Sequence, residues 1–241
     1  MFNTTRIISA LVMIGAIIII ALIDQFFINF IVFAVLLYLS FSEAKKLFAL
    51  ENISIIPLVI VFILGSLSHK ALLFGILALL LVVGYLVYKK ASLKPALIYM
   101  YPSLPILALW QVYLDQGMFA LFWLIIIVAA CDSGAYFMGK LMGKTPFSPT
   151  SPNKTLEGVI GGLICASVIG TILGIFVYSF WLSLLCSFFV AIFAVIGDLL
   201  ESYFKREAGV KDSGDLIPGH GGVLDRIDAV IIAAFVMVAL L

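Results

Sequence analysis

Charge is what this 241-residue sequence has least of: 11% of it is Asp, Glu, Lys or Arg, against 64% hydrophobic residues. A globular domain carries about 25% charged and about 45–50% apolar residues. A soluble fold is excluded, because so much apolar surface would leave large exposed patches. Disorder is excluded too, since it needs low hydrophobicity and high net charge, and here the net charge is +1. No basic tail points to nucleic acid. The three cysteines, Cys131, Cys165 and Cys186, lie in apolar runs without CxxC spacing, so they read as small buried residues. Apolar–polar alternation, the mark of a membrane β-barrel, is missing. The apolar run from Ile7 to Ile23 follows a single Arg6 and has no small-residue cleavage site, so it reads as a first anchor and not a cleaved signal. What remains is a series of continuous apolar runs. At about 20 residues per transmembrane helix, there is room for roughly nine or ten, and the fold class is an all-α, polytopic helical membrane protein.

Hydropathy, turn residues and charge divide the chain into nine expected spans, near 7–23, 26–42, 53–67, 71–88, 95–113, 117–131, 157–178, 180–200 and 223–241. Pro95, Pro102 and Pro105 make the fifth irregular, since proline frees carbonyls that neighbours must satisfy. With nine spans, 13 of the 14 Lys and Arg residues share one face and only Lys70 lies on the other. The positive-inside rule makes the crowded face cytoplasmic. The N-terminus is then inside, the C-terminus outside, and the two long connections, 132–156 and 201–222, face the cytoplasm. Residues 1–116 are expected to form a scaffold of N-terminal and middle helices, and residues 117–241 are expected to carry the two long loops between the C-terminal helices.

Eleven of the 27 charged residues fall between Asp198 and Asp228. Such a run is ordinarily a solvated loop, but three details argue otherwise. Asp198 ends an apolar run, so its carboxylate lies at or inside the membrane boundary, where a charge is costly and a bound cation offsets the cost. Asp225 and Asp228 are spaced i,i+3 at the start of the last helix and share a face. Pro218-Gly219-His220-Gly221-Gly222 precedes that helix and offers backbone N–H groups to anions. Carboxylates, basic side chains and open amides together suit Mg²⁺ and phosphate. The earlier loop is a sparser version: Asp132-Ser133-Gly134, then Gly139-Lys140 and Gly143-Lys144, then Ser148 to Gly158 with Ser151 and Lys154. It does not fit a P-loop, because the G-x-x-x-x-G-K-[ST] spacing and the preceding strand are both missing. Thr155 is placed to cap the seventh helix, with Glu157 in its first turn.

The run Ser202-Tyr203-Phe204-Lys205-Arg206, Lys211-Asp212-Ser213-Gly214 and Ile217-Pro218-Gly219-His220-Gly221-Gly222-Val223-Leu224-Asp225-Arg226-Ile227-Asp228 resembles the signature of the phosphatidate cytidylyltransferase (CDP-diacylglycerol synthase) family. Asp132–Phe137 and Ser151–Gly158 resemble that family's other cytoplasmic loop, so the likeness covers roughly the last 110 residues. It implies transfer of CMP from CTP to phosphatidic acid, giving CDP-diacylglycerol and pyrophosphate. Mg²⁺ is implied as cofactor, and a second, monovalent cation is allowed for. The enzyme would be an integral membrane homodimer in contact with membrane lipids; the lack of a targeting peptide suits a bacterial inner membrane, and the charge count puts the active site on its cytoplasmic side. Carried onto matching positions, Asp198 and Asp225 would hold metal, flanked by Ser202, Lys205 and Asp228.

The chemistry suits these residues. The attacking lipid phosphate is largely ionised near neutrality, its second pKa being about 6–7, so no strong general base is needed. Two polyanions must instead be brought together in line. Lys205, Arg206, Lys211 and Arg226 are candidates to clamp phosphates, assisted by Lys140, Lys144 and Lys154. Arg226 either does this or orients a carboxylate. His220, with Gly221 and Gly222, either meets a phosphate or braces the turn. Asp132 binds metal, ribose hydroxyls or the cytosine amino group. A transporter is disfavoured because the carboxylates cluster at one set of helix ends. A CDP-alcohol phosphotransferase is disfavoured because its D-G-x2-A-R motif is absent, and a CTP-dependent lipid kinase would transfer a different phosphate.

Overall fold

Continuous apolar runs fold as helices in lipid, because each backbone N–H and C=O must find its partner within the segment. The computed structural model, which describes residues 4–50 and 52–241, follows that rule; for Thr4–Ile7, Arg6 included, it describes the backbone only. The elements are α1 (Thr4–Ile23), α2 (Phe26–Leu47), α3 (Ile56–Leu67), α4 (Ala71–Tyr88), α5 (Ala96–Ile98), a π-helical turn (Tyr99–Ser103), α6 (Leu104–Met142), β1 (Pro146–Ser148), β2 (Ser151–Thr155), α7 (Leu156–Gly174), α8 (Phe180–Glu207) and α9 (Leu224–Leu240). The chain is therefore an all-α protein with one short ribbon. Among the described residues, five segments are long and apolar enough to cross a membrane: α2, α4, α7, α8 and the 47-residue stretch Ala96–Met142. That stretch breaks at Gly117, whose φ of 74° and ψ of −169° need a residue without Cβ. Its proline-rich head is irregular, as expected, with Tyr101 extended (φ −143°, ψ 125°) inside the π turn.

The chain divides into two units. One takes in the residues up to Met118 together with Glu207–Ile227; the other comprises Phe119–Arg206 and Asp228–Leu241. In the first, α3 and α4 form a tight hairpin, and a Cβ at Gly65 would lie 2.7 Å from the Ala71 backbone. Trp110 is fully buried against Phe26, Phe33, Phe62 and Tyr113. Its indole N–H donates to Ser66 Oγ at 2.8 Å, which satisfies the one polar group such a ring buries. One end of this unit is fixed by polar contacts. Tyr113 donates to Asp24 at the head of α2 (3.1 Å), while Gln111 donates to the His69 carbonyl (3.0 Å) and accepts from Leu72 N (3.3 Å).

In the second unit, α7 packs through a glycine-rich face. A Cβ at Gly162 would lie 2.6 Å from the Cys131 carbonyl, and one at Gly134 would lie 2.6 Å from Cys165 Cβ. The Trp123 indole donates to the Gly170 carbonyl at 2.7 Å. Two boundaries differ from the sequence reading. Asp132-Ser133-Gly134 does not close a helix: α6 continues to Met142, because Gly134 and Gly139 let it pack closely on α7. Likewise α8 runs to Glu207, supported by the i,i+4 pair Glu201–Lys205 at 3.5 Å. Ser202, Lys205 and Arg206 are helical, and the true loops shorten to 143–155 and 208–223.

Candidate active site

The second unit holds a cavity of about 380 Å³ whose lining includes Asp132, Tyr136, Lys140, Asn153, Lys154 and Thr155. Helix α6 supplies the first three. The last three come from the β1–β2 ribbon, which pairs Ser148 with Ser151 across a two-residue turn. Local capping anchors the ribbon. The Thr155 hydroxyl accepts from Gly158 N (3.2 Å), capping α7 as expected. The Glu157 carboxylate accepts from Lys144 N (3.1 Å), Thr145 N (3.2 Å) and Thr145 Oγ1 (2.9 Å). The serine–proline ribbon is thereby anchored beside the cavity that its Asn153, Lys154 and Thr155 line.

Lys154 is the centre of this cluster. Its ammonium pairs with the Asp198 carboxylate and feels the charges of Asp132 and Asp228. Burial pulls Lys154 below its ordinary value of 10.5, and those two carboxylates draw it part of the way back. Asp228 also interacts with Lys205 and with the buried Glu201, and its Oδ1 accepts from Ala229 N at 2.8 Å. Of the expected residues, Asp132, Lys140, Lys154, Asp198, Lys205 and Asp228 therefore form one charged neighbourhood. Lys144 instead lines a separate apolar groove with Met138, Leu141 and Ile160. Ser151 lies at the ribbon turn, Ser202 is half-buried on α8, and Arg206 is exposed.

The first unit holds a second polar cavity, of about 540 Å³, lined by Lys211, Asp212, Asp215, His220, Arg226 and three glycines. Its wall is the turn before α9. Ile217 N donates to the Gly221 carbonyl and His220 N to the Ile217 carbonyl, both at 2.9 Å. Gly219 and Gly221 have φ of 76° and 85°, the left-handed region that explains a glycine at each. The Arg226 guanidinium donates twice to the His220 carbonyl, at 3.0 and 2.6 Å, so it fastens this turn. Asp225 Oδ2 accepts from Ser213 N (2.8 Å), Ser213 Oγ (3.0 Å) and Gly222 N (2.8 Å).

One residue escaped the sequence reading altogether. Glu43, near the end of α2, is 7% exposed. Its carboxylate accepts from Val223 N and Leu224 N, both at 2.8 Å, and from Ser213 Oγ at 3.1 Å. In the sequence it is a lone acid beside Lys45 and Lys46 at the end of an apolar run, which looks like a solvated helix terminus. Only its burial sets it apart.

The sequence profile of the Cytidylyltransferase family matches residues 4–241. The chain belongs to the cytidylyltransferase family. Proteins named phosphatidate cytidylyltransferase from two Helicobacter pylori strains are 43% and 42% identical to it over 206 residues, covering 83% of this chain and 77% of each relative. One from Staphylococcus haemolyticus is 47% identical over 119 residues, 48% of this chain and 46% of that protein. The family resemblance drawn from the Ser202–Asp228 signature is thus borne out across the chain, the N-terminal helices included.

For a cytidylyltransferase-family chain the donor set can be tested against Mg²⁺. Among the described residues no three His, Cys, Asp or Glu side chains converge as a metal cage. Mg²⁺ does not require one, being held usually by one or two carboxylates and completed by substrate phosphates and water. Asp198 already accepts a cation, the Lys154 ammonium. Asp225 is aimed by three hydrogen bonds to one of its oxygens, as ligating carboxylates commonly are. The residues fit the ion.

Proposed function

We propose that this protein transfers CMP from CTP to phosphatidic acid, forming CDP-diacylglycerol and pyrophosphate. The observation that carries this reading is the 43% identity to a phosphatidate cytidylyltransferase over 83% of the chain. It is supported by two cavities in an otherwise apolar protein, each of which brings two basic side chains together with at least one carboxylate. In the proposed reaction a lipid phosphate oxygen attacks the α-phosphorus of CTP in line, and the bond to the pyrophosphate oxygen breaks. No proton has to be removed from the nucleophile, so the protein's task is charge balance and alignment. Lys140 and Lys154 at one cavity, and Lys211 and Arg226 at the other, are the proposed phosphate-binding cations. Lys205, Arg206, Lys144, Ser151 and Ser202 are proposed in supporting contacts. Asp132 is proposed to meet ribose, cytosine or metal, and Asp228 to keep Lys205 and Lys154 in place. His220 and the amides of Gly221 and Gly222 are proposed at an anion. Asp198 and Asp225 are each proposed as a Mg²⁺ ligand, and bound Mg²⁺ would neutralise phosphate charge developing in the reaction.

We further propose nine spans with the signature on the cytoplasmic side of a bacterial inner membrane, a homodimeric state, and the division into a scaffold (1–116) and a catalytic part (117–241). The polar contacts of the first unit support the orientation. Asp24, His69 and Gln111 share one end of the bundle. Glu43 holds the signature turn about 28 Å further along α2, at 1.5 Å per residue.

The test is purified protein with phosphatidic acid, Mg²⁺ and CTP labelled at the α-phosphate. The label should pass to the lipid phase with an equal release of pyrophosphate. Lipid labelled only from γ-labelled CTP would make it a kinase, and no transfer of either label would overturn the reading. Asp198→Asn and Asp225→Asn variants that remain folded should lose nearly all turnover.

A further inference from the structure

The signature turn has no long secondary structure of its own, yet it is anchored from a distant part of the sequence. Val223 and Leu224 lie at the N-terminus of α9, where the first N–H groups have no partner within the helix and the helix dipole favours negative charge. Both N–H groups donate to Glu43 at 2.8 Å. The carboxylate reaches them because two glycines leave room. A Cβ at Gly222 would lie 2.6 Å from Glu43 Oε2, and one at Gly214 would lie 2.8 Å from Oε1. Ser213 completes the arrangement: its hydroxyl is 3.1 Å from Glu43 Oε2 and 3.0 Å from Asp225 Oδ2. A hydroxyl has one hydrogen, so Ser213 serves two carboxylates in turn and ties the position of one to the other.

We propose that Glu43 is a positioning residue: it holds the segment 213–224 in register and, through Ser213, sets the direction of the Asp225 carboxylate. A buried carboxylate that accepts three hydrogen bonds cannot be replaced by an amide without turning an N–H₂ toward at least one donor. The side chain thus assigns a task in the substrate-handling loop to α2, an element whose sequence reads as plain membrane anchor.

The proposal rests on reading the cavity beside Asp225 as part of the nucleotide site, and two readouts keep the questions apart. The first needs no turnover: trypsin cleavage after the exposed Lys211 in purified, detergent-solubilised protein. Glu43→Gln should speed that cut about tenfold or more while cleavage elsewhere is unchanged. The second is kinetic. In Glu43→Gln the KM for CTP should rise about 10- to 100-fold, the range typical of residues that orient ligands, with the KM for phosphatidic acid unmoved. A simple loss of folded enzyme would lower kcat and leave both KM values alone. Ser213→Ala keeps Glu43 on its two amides and cuts the link to Asp225. It should leave Lys211 protected and still raise the KM for CTP, and it decides the matter if Glu43→Gln does not fold. A folded Glu43→Gln with wild-type cleavage and KM overturns the proposal, as does a Ser213→Ala with unchanged KM for CTP. If the wild-type protein turns over no CTP, the functional reading fails, and the trypsin rates alone judge Glu43.

Discussion

Lys154 shows how one side chain can carry both structure and chemistry. Its ammonium is the counter-ion of Asp198 and lies in the field of Asp132 and Asp228, yet burial still lowers its affinity for the proton. On the proposed function it must be charged to meet a phosphate. As pH rises through the lowered value the charge is lost and attraction for the phosphate falls. The basic limb of kcat/KM, which reports the free enzyme, is therefore expected below the ordinary lysine value of 10.5. Lys154→Arg, charged to beyond pH 12, should shift that limb upward. Lys154→Met should lose about 100-fold in kcat/KM, as when a single charge-stabilising donor is removed. A limb that stays in place in Lys154→Arg would assign it to another group. Lys154 was legible in the sequence, because a lysine in a Ser-Pro-Asn-Lys-Thr loop between apolar runs has few structural reasons to be there. Glu43 was not, because the sequence shows an acid next to two lysines and hides the 170 residues that separate it from Ser213.

At the level of elements, the apolar runs and their breaks were readable, since lipid leaves the backbone few alternatives to the helix. Helix ends were less so. Asp132 and Glu201 look like the first polar residues of loops, but both are carried on by helices, one packed against α7 through glycines and the other paired with Lys205. Polarity marks where a helix leaves the apolar region and not where its hydrogen bonds stop. The glycines of α7 are the part of this that mutation can reach. Gly162 meets the Cys131 carbonyl so closely that a single methyl group would sit 2.6 Å from it, and a backbone atom cannot swing aside as a side chain can. Gly162→Ala should cost about 1–3 kcal/mol, the usual range for overpacking, and lower the thermal unfolding midpoint in detergent. Gly15, where a Cβ would meet nothing within 4 Å, is the control: Gly15→Ala should not lower the midpoint. Equal midpoints for Gly162→Ala and wild type would mean that α7 is free to move away.

At the scale of the whole molecule, the scarce charge is distributed by two independent constraints that agree. On the proposed nine spans, counting basic residues puts Lys70 alone on one face. In the first unit, hydrogen bonds put the Ser68–Lys70 turn at the same end as Asp24, Gln111 and Tyr113, while Glu43 and the signature turn lie at the far end of α2. Helix α4 has 18 residues, about 27 Å at 1.5 Å per residue, close to the roughly 30 Å of a bilayer's hydrocarbon core. If α4 spans, Lys70 and Lys90 at its two ends must lie on opposite sides of the membrane. Both positions are exposed, so each can be replaced by cysteine in a background with Cys131, Cys165 and Cys186 changed to serine or alanine. An impermeant maleimide applied to intact cells should label Lys70→Cys and spare Lys90→Cys until the membrane is opened. The reverse pattern would turn the protein over and place the signature outside, where cytoplasmic CTP could not reach it. Labelling at both positions in intact cells would mean that α4 does not cross, and the nine-span count would fall with it.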